Sequence, residues 1–555
     1  MIGGDEEPGQ ALPAVATRAA MLERLERETF DLAIIGGGIT GAGVARDAAL
    51  RGLSVALVEQ GDFASGTSSR SSRLIHGGLR YLRYGHLGLV REGLHERGLL
   101  LRLAPHLVRP LAFVMPVWED SRDGPLLLRL GLTGYDVLAG TLGIGRHRGL
   151  SRERLLEAEP SLRSEGLKAG FRYFDATTDD ARLTLSVALS AARAGAVALN
   201  YAKAVGLERT GERVTGINFR DAAGDAEGTV RARVVVSAAG PWTDQLRETL
   251  GQRAILRPTK GVHLVVRRER LPVNAAVAFY YGERLLFAVP HDEHTYIGTT
   301  DTDWQGDPGS VETESEDVEY VLEATNASFS TGLEVGDIVG AWAGLRPLLA
   351  DEGTPSEVSR DYDILDGPPG LYTICGGKLT SFRSMAEQIV SQVVEREGER
   401  FSVRPRRSRT ARAPLPGATA DFKNYRRSAV AALGGGWGLT EAAANRLVDT
   451  YGTEHVRALA PAARNPELLE PLAEGSPVLA VEAVNAAEQE MAVTLEDFMR
   501  RRTDLMLFGE GGSPAAASAA ARHMAKALGW DGEETERQIG SYLEAVSRMM
   551  AFRRG

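Results

Sequence analysis

The stretch Leu32-Ala33-Ile34-Ile35-Gly36-Gly37-Gly38-Ile39-Thr40-Gly41-Ala42-Gly43 decides the fold of this chain. An apolar run of strand character enters Gly36-x-Gly38-x-x-Gly41, and a helical pattern leaves it. The first glycine permits a tight turn, the second lets backbone approach a pyrophosphate, and the third lets helix and strand pack closely. The helix then points the positive end of its dipole at phosphate. A second apolar run, Ser54 to Val58, delivers Glu59 where a carboxylate can meet the ribose hydroxyls of an adenosine. Glycine-rich turns alone serve many loops. The order strand, turn, helix, strand, acid within one βαβ unit is what predicts an adenine dinucleotide, NAD or FAD.

With 555 residues and 43% hydrophobic content, the chain can bury a large core and is long enough for two or three domains. A formal charge of −10 argues against a general nucleic-acid binder, although local basic clusters can still hold phosphate. The single cysteine, Cys375, rules out an intramolecular disulfide and a cysteine-rich metal site and fits a reducing cytoplasm; no metal is expected. Residues through about Val15 read as a flexible leader without secretory character, and Ala16 to Glu28 as an amphipathic helix beside the first strand.

No stretch reaches the apolar length of a spanning helix. The nearest, Leu126 to Gly145, carries Arg129 and Asp136 and is flanked by Arg122, Arg146, His147 and Arg148. It fits either interfacial attachment to a membrane or an amphipathic helical pair over the core.

Four short β-rich runs, His263 to Arg267, Ala276 to Tyr281, Arg284 to Pro290 and His294 to Thr299, predict an antiparallel sheet that roofs the cofactor. After about Pro414 the pattern turns wholly helical. The intervening Arg404-Pro405-Arg406-Arg407-Ser408-Arg409-Thr410 has the composition of a solvated linker, closed by Pro414-Leu415-Pro416-Gly417.

Three segments carry candidate chemistry. In Gly66 to Tyr81, the hydroxyls of Thr67, Ser68, Ser71 and Ser72 offer donors to a pyrophosphate, and small residues before Leu74 let backbone approach a flat ring. His76, Arg80 and Tyr81 then project above it. The run Val234 to Trp242 is a buried strand ending in small residues around Gly240, where backbone passes close to a cofactor. In Tyr372 to Thr380, Gly377, Lys378, Leu379 and Thr380 repeat the strand, glycine-turn and helix logic. A second helix start of this kind can stabilise negative charge on a reduced isoalloxazine, which points to FAD rather than NAD.

These motifs, in this order, resemble the FAD-dependent glycerol-3-phosphate dehydrogenases of the aerobic, quinone-linked type. The resemblance rests on Ser71-Ser72-Arg73-Leu74-Ile75-His76-Gly77-Gly78-Leu79-Arg80-Tyr81, Ala239-Gly240-Pro241-Trp242, Ile297-Gly298-Thr299-Thr300-Asp301, Gly344-Leu345-Arg346-Pro347-Leu348, Arg360-Asp361-Tyr362 and Gly376-Gly377-Lys378-Leu379-Thr380. It extends more loosely through Thr494-Leu495-Glu496-Asp497-Phe498 and Arg500-Arg501-Arg502-Thr503; Arg73 stands where the family pattern has lysine.

The resemblance implies an α/β fold: a Rossmann-like FAD-binding domain, an antiparallel β-rich substrate domain and an all-helical C-terminal domain. The expected divisions are a leader and helix at 1–28, an FAD-binding domain at 29–405 with the substrate sheet interleaved at about 255–345, and the helical domain at 406–555. It also implies oxidation of sn-glycerol 3-phosphate to dihydroxyacetone phosphate by hydride transfer to flavin. Arg80, Arg346, Arg360 and Lys378 would surround the phosphate, with Tyr81 donating to it, and forked guanidinium groups suit that charge.

His76 is the first candidate base, because histidine titrates near neutrality; the alternative is that it only hydrogen-bonds flavin or backbone. Arg346 is the second catalytic candidate, stabilising a developing alkoxide by charge, and Asp301 could orient either. Electrons would pass to a quinone, with oxygen as the alternative acceptor. A flavin oxidoreductase acting on an amino acid or 2-hydroxy acid is the rival of the same architecture, and a flavoprotein with an assembly role the rival of another class. The expected setting is cytoplasmic and peripheral on the inner membrane face, with a homodimer among the expected partnerships and no nucleic acid.

Overall fold

The computed structural model describes residues 17–83, 85–224, 226–350 and 362–554, with no description of the Arg80 and Arg83 side chains. Its first sheet contains the decisive stretch. Thr29–Ile35 lies at the centre, parallel to Val55–Val58 on one side and to Glu227–Ser237 on the other. Val197–Leu199 and Leu371–Gly376 extend the parallel order outward on the two sides, and Tyr362–Asp366 closes one edge antiparallel. A hairpin of Ala202–Thr210 and Arg213–Asp221 adds to Glu227–Ser237.

A strand buried on both faces needs an unbroken apolar sequence, which Thr29–Ile35 and Val55–Val58 have. One face packs on the helices Ile39–Leu50, Asp180–Arg193 and Phe382–Glu397 through Leu32, Ile34, Val44, Leu185 and Ile389. The other receives the helix Arg18–Arg27, whose Met21 and Leu25 join Phe30, Val235 and Phe219. Residues 1–16, the expected leader, lie outside the described residues.

The second sheet has ten strands among the described residues and departs from expectation in its make-up. Ala276–Tyr281, Arg284–His291 and His294–Gly298 pair antiparallel where the sequence pattern put them, as does Leu256–Arg267, which starts well before the expected His263; Ile338–Leu349, which the pattern did not mark, pairs antiparallel along Leu256–Arg267. The sheet also draws in Leu74–Ile75, Val108–Trp118, Arg148–Ser151 and Leu167–Thr178, from before the hairpin. Its two parts join through a parallel pairing of Ala276 and Val277 with Phe113 and Val114. Sequence periodicity marks a strand but not its neighbour, so the early strands gave no sign of sharing a sheet with the late ones.

Two further expectations change. The basic run 404–410 keeps Arg404, Arg406, Arg407 and Arg409 exposed as expected but is not a free linker: Arg406 N–H donates to the Arg51 carbonyl, Ser408 Oγ donates to Asp47 at 2.5 Å, and Leu415 N–H reaches Leu103 O. Leu126 to Gly145 holds one α-helix, Pro125–Ala139, and a short 3₁₀ turn rather than a helical pair. Beyond the strapped run, helices from Phe422–Trp437 onward enclose a core of their own around Leu447, Val481, Phe498 and Met524.

Candidate active site

The tight turn after Thr29–Ile35 is set by Gly36, whose φ of +108° excludes a side chain. A Cβ on Gly41 would stand 1.9 Å from the Gly36 carbonyl oxygen, so that glycine serves helix-to-strand packing. Glu59 is buried. Its carboxylate accepts from Gly37 N–H at 2.6 Å and from Gly61 N–H at 2.8 Å, and burial raises its pKa. Two of its roughly four lone-pair sites are thereby used.

A cavity of about 580 Å³ opens above this turn. Gly36, Gly38, Glu59, Thr67, Ser68, Ser71, Ser72, Leu74, His76, Tyr81, Gly240, Arg346, Gly377, Lys378, Leu379 and Thr380 all line it. Gly41 does not, for the packing reason just given. Arg360 lies outside the described residues, and no placement is given for the Arg80 side chain.

The hydroxyls that the sequence offered to a pyrophosphate are largely spent on protein. Thr67 Oγ1 donates to Leu345 O at 2.7 Å, and Ser68 Oγ accepts from Ile39 N–H at 2.9 Å. Ser71 Oγ and N–H both donate to Asp180, at 2.7 and 2.9 Å. Ser72 Oγ meets His263 Nε2 at 2.9 Å. Trp342 Nε1–H and Tyr296 Oη–H donate to the carbonyls of Ser71 and Ser72. These side chains therefore shape the loop.

The sheet supplies Arg346. Its guanidinium donates to Asp301 Oδ1 at 2.9 Å, to Thr299 Oγ1 at 2.9 Å and to Thr300 O at 3.1 Å, so Asp301 orients the arginine. A Cβ on Gly261 would come within 2.5 Å of the same guanidinium, which only glycine avoids. Lys378 Nζ lies 3.9 Å from the Tyr81 ring centroid, a cation–π contact that fixes the ammonium near the tyrosine. His76 is held by its backbone: its N–H donates to Thr380 Oγ1 at 3.1 Å, and that hydroxyl returns a bond to His76 O at 3.3 Å.

Sequence reasoning passed over His263, which lines the cavity, stacks on Trp342 at 4.8 Å and has a buried Nδ1 without a protein partner. Burial and the nearby Arg346 push its pKa down to about 3, so it stays neutral. A histidine inside an apolar strand was the available signal. Cys375 is buried and its thiol is pushed up to about 12 by burial, which leaves no thiolate for covalent attachment to a flavin.

Among the described residues lining the cavity, Arg70, Lys203, Arg346 and Lys378 are cationic and Glu59 alone is acidic. That balance fits a pyrophosphate together with a second anion. The glycine turn, the orphaned His263 Nδ1 and the orphaned Arg70 Nε give a dinucleotide polar groups to meet and room to enter. The residues present fit FAD.

Comparisons with known proteins agree with this geometry. Residues 31–392 match the FAD dependent oxidoreductase family, and residues 408–535 match the C-terminal domain of alpha-glycerophosphate oxidase. The chain is 40% identical to glycerol-3-phosphate dehydrogenase 2 of Mycobacterium tuberculosis, over 98% of this chain and 92% of that one. It is 38% identical to the aerobic glycerol-3-phosphate dehydrogenase of Staphylococcus aureus, over 88% and 89%. The crystal structure of the glycerol-3-phosphate dehydrogenase from Bacillus halodurans complexed with FAD superposes with a TM-score of 0.81 at 34% identity, covering 97% of this chain and 98% of that one. With its nucleotide turn, cationic cavity and helical tail accounted for, the chain belongs to the FAD-dependent glycerol-3-phosphate dehydrogenases.

Proposed function

We propose that this enzyme oxidises sn-glycerol 3-phosphate to dihydroxyacetone phosphate and hands the electrons to a quinone. The observation that carries the substrate reading is the placement of Arg346 and Lys378 in the cavity that His76 also lines. A phosphomonoester carries between one and two negative charges near pH 7, which Lys378 is suited to hold, while the second cation of the same cleft, Arg346, can meet charge on the reacting oxygen. When bound, FAD supplies the two-electron acceptor for the carbinol hydride.

The chain's own residues do the rest. Lys378 and Tyr81 hold the phosphate, joined by Arg80 and Arg360 on the family pattern. Arg346, kept in line by Asp301 and Thr299, stabilises negative charge developing on the carbinol oxygen. Its guanidinium stays protonated, so the hydroxyl proton goes to the His76 imidazole.

A second cavity of about 390 Å³ supports the quinone reading. It shares Ser72, Leu74, His76 and Thr299 with the first and is otherwise largely apolar, with Leu79, Phe113, Met115 and Phe287 in its wall. Its far side reaches Leu127, Leu128 and Gly131 of the helix Pro125–Ala139. That helix turns Leu126, Leu130 and Val137 outward at 73, 62 and 74% exposure, while Leu132 and Tyr135 are buried. An apolar stripe flanked by Arg122, Arg129, Arg146 and Arg148 suits the headgroup boundary of an anionic membrane. No helix among the described residues is long and apolar enough to cross a membrane. This reading makes the protein peripheral, on the inner face of the cell membrane.

The experiment is anaerobic bleaching of the flavin by sn-glycerol 3-phosphate beside glycerol, D-lactate and a panel of amino acids, followed by reoxidation with a short-chain quinone or with oxygen. Bleaching by the phosphate ester and faster reoxidation by quinone are expected. Reduction by a carboxylate substrate instead would overturn the substrate reading, and faster reoxidation by oxygen the acceptor reading.

A further inference from the structure

Two loops that line the FAD cavity each hold a buried charge, and both charges are neutralised by one short segment of the helical domain. The first loop follows Glu59. Its Asp62 is fully buried and accepts from Arg501 Nε at 2.6 Å and from Arg502 through two nitrogens at 2.5 and 2.9 Å. Arg501 also pairs with Asp497 at 2.5 Å, and Asp497 accepts from Tyr201 Oη at 2.7 Å. The second loop is Ser71-Ser72-Arg73. Arg73 is buried at positive φ, donates to both Asp504 oxygens at 2.9 and 3.1 Å, and lies over the rings of Phe508 and Trp342. Asp504 meets His291 Nε2 at 3.1 Å as well.

Segment 497–508 thus supplies a cation pair to the adenosine-side loop, and an anion and an aromatic face to the flavin-side loop. Removing it would leave Asp62 with the Asn200 amide alone and Arg73 with the looser Asp180 contact at 3.8 Å, two under-compensated charges in a dry interior, which is costlier than leaving them in water. The loops would have to move to solvate them, and Glu59, Ser71 and Ser72 would move with them.

We propose that the helical domain is a lock on the cofactor: docking of 497–508 and binding of FAD stabilise one another. The coupling is reciprocal, so FAD must tighten the docking by the factor by which docking tightens FAD. Asp504, Arg501 and Arg502 are then positioning residues that act through the two loops. The inference rests on FAD being the occupant of the cavity, and wild-type protein that purified without flavin and did not bind it would sink that reading first.

The test uses the full chain in two arms. In the first, hydrogen–deuterium exchange of wild-type protein is compared with and without FAD. Exchange in 497–508 is expected to slow about tenfold on loading, within the usual span of coupling between sites. Slowing confined to residues 36–76 would overturn the proposal. In the second arm, FAD release and the visible circular dichroism of the bound flavin are followed in Asp504→Asn, Arg73→Met and Arg73→Lys. The first two are expected to release FAD about tenfold faster and to change the flavin signal, with Arg73→Lys, which keeps the charge, closer to wild type. Wild-type release in a folded Asp504→Asn would overturn the proposal. So would equal losses in Arg73→Lys and Arg73→Met, which would make the contact a matter of packing alone. Should the variants fail to fold, the exchange arm still decides.

Discussion

The two halves of the cavity are built in opposite ways. The nucleotide half comes from one contiguous βαβ unit, where backbone makes the site and Glu59 is pinned by the amides of Gly37 and Gly61. The substrate half is gathered from distant segments: His76, Arg346 on a strand of the second sheet, and Lys378 after another strand turn. A site made of backbone tolerates no extra atoms, whereas a site made of charges tolerates atoms and fails when a charge is lost. Substitutions in the first half should therefore cost cofactor, and those in the second should cost rate or substrate.

The largest effect is expected for Arg346→Ala, where flavin reduction at saturating sn-glycerol 3-phosphate should slow by about 100- to 1000-fold, the usual cost of losing charge stabilisation in a transition state. FAD content should stay normal; a protein emptied of FAD would break the division between the halves. Gly41→Val should do the reverse. Its side chain has nowhere to go beside Gly36, and about 3 kcal/mol of overpacking would lower FAD affinity about 100-fold in a fluorescence titration.

Lys378→Ala should weaken substrate binding about 10- to 100-fold, as expected for one charge-assisted contact of about 1.5–3 kcal/mol, with a smaller change in the reduction rate. A pure rate effect would move Lys378 from holding phosphate to the chemistry. His263→Asn sharpens the comparison from within the substrate half. Because burial and Arg346 hold His263 at about 3, it is neutral throughout the assay range. Any slowing should therefore be the same factor from about pH 5 to 9, and a loss confined to one limb of the pH profile would mean that it titrates in the reaction. The smallest effect on chemistry belongs to Leu126→Glu with Leu130→Glu: flotation with anionic vesicles should fall while flavin reduction in solution is unchanged.

The same contrast explains what the amino-acid sequence reveals. Gly36, Gly38, Gly41 and Glu59 announce themselves because their spacing is fixed by a local turn. His76, Arg346 and Lys378 could be named from a family pattern, but spacing alone says nothing of their convergence, since His76 and Arg346 come from the second sheet and Lys378 follows a strand of the first, and both sheets pair strands distant in sequence. His263 showed only as a histidine inside an apolar strand, and Asp301, named as able to orient His76 or Arg346, meets Arg346 because it follows His294–Gly298, which pairs with Leu256–Arg267 as the Arg346 strand does. The hydroxyls of Thr67 and Ser71 were legible as polar but not as spent, because Leu345 O and Asp180 lie far along the chain. The run 404–410 looked solvated because arginine is hydrophilic, yet its backbone and Ser408 are strapped to the first domain.

The most direct test of the account is the preference for sn-glycerol 3-phosphate over glycerol in anaerobic flavin reduction, measured for wild type and for Lys378→Ala with FAD fully bound. Wild type should favour the phosphate ester strongly, and Lys378→Ala should shrink that preference about 10- to 100-fold while leaving reduction by glycerol unchanged. An undiminished preference would contradict the assignment of the cationic half of the cavity to the phosphate, and with it the central claim that this half selects the substrate.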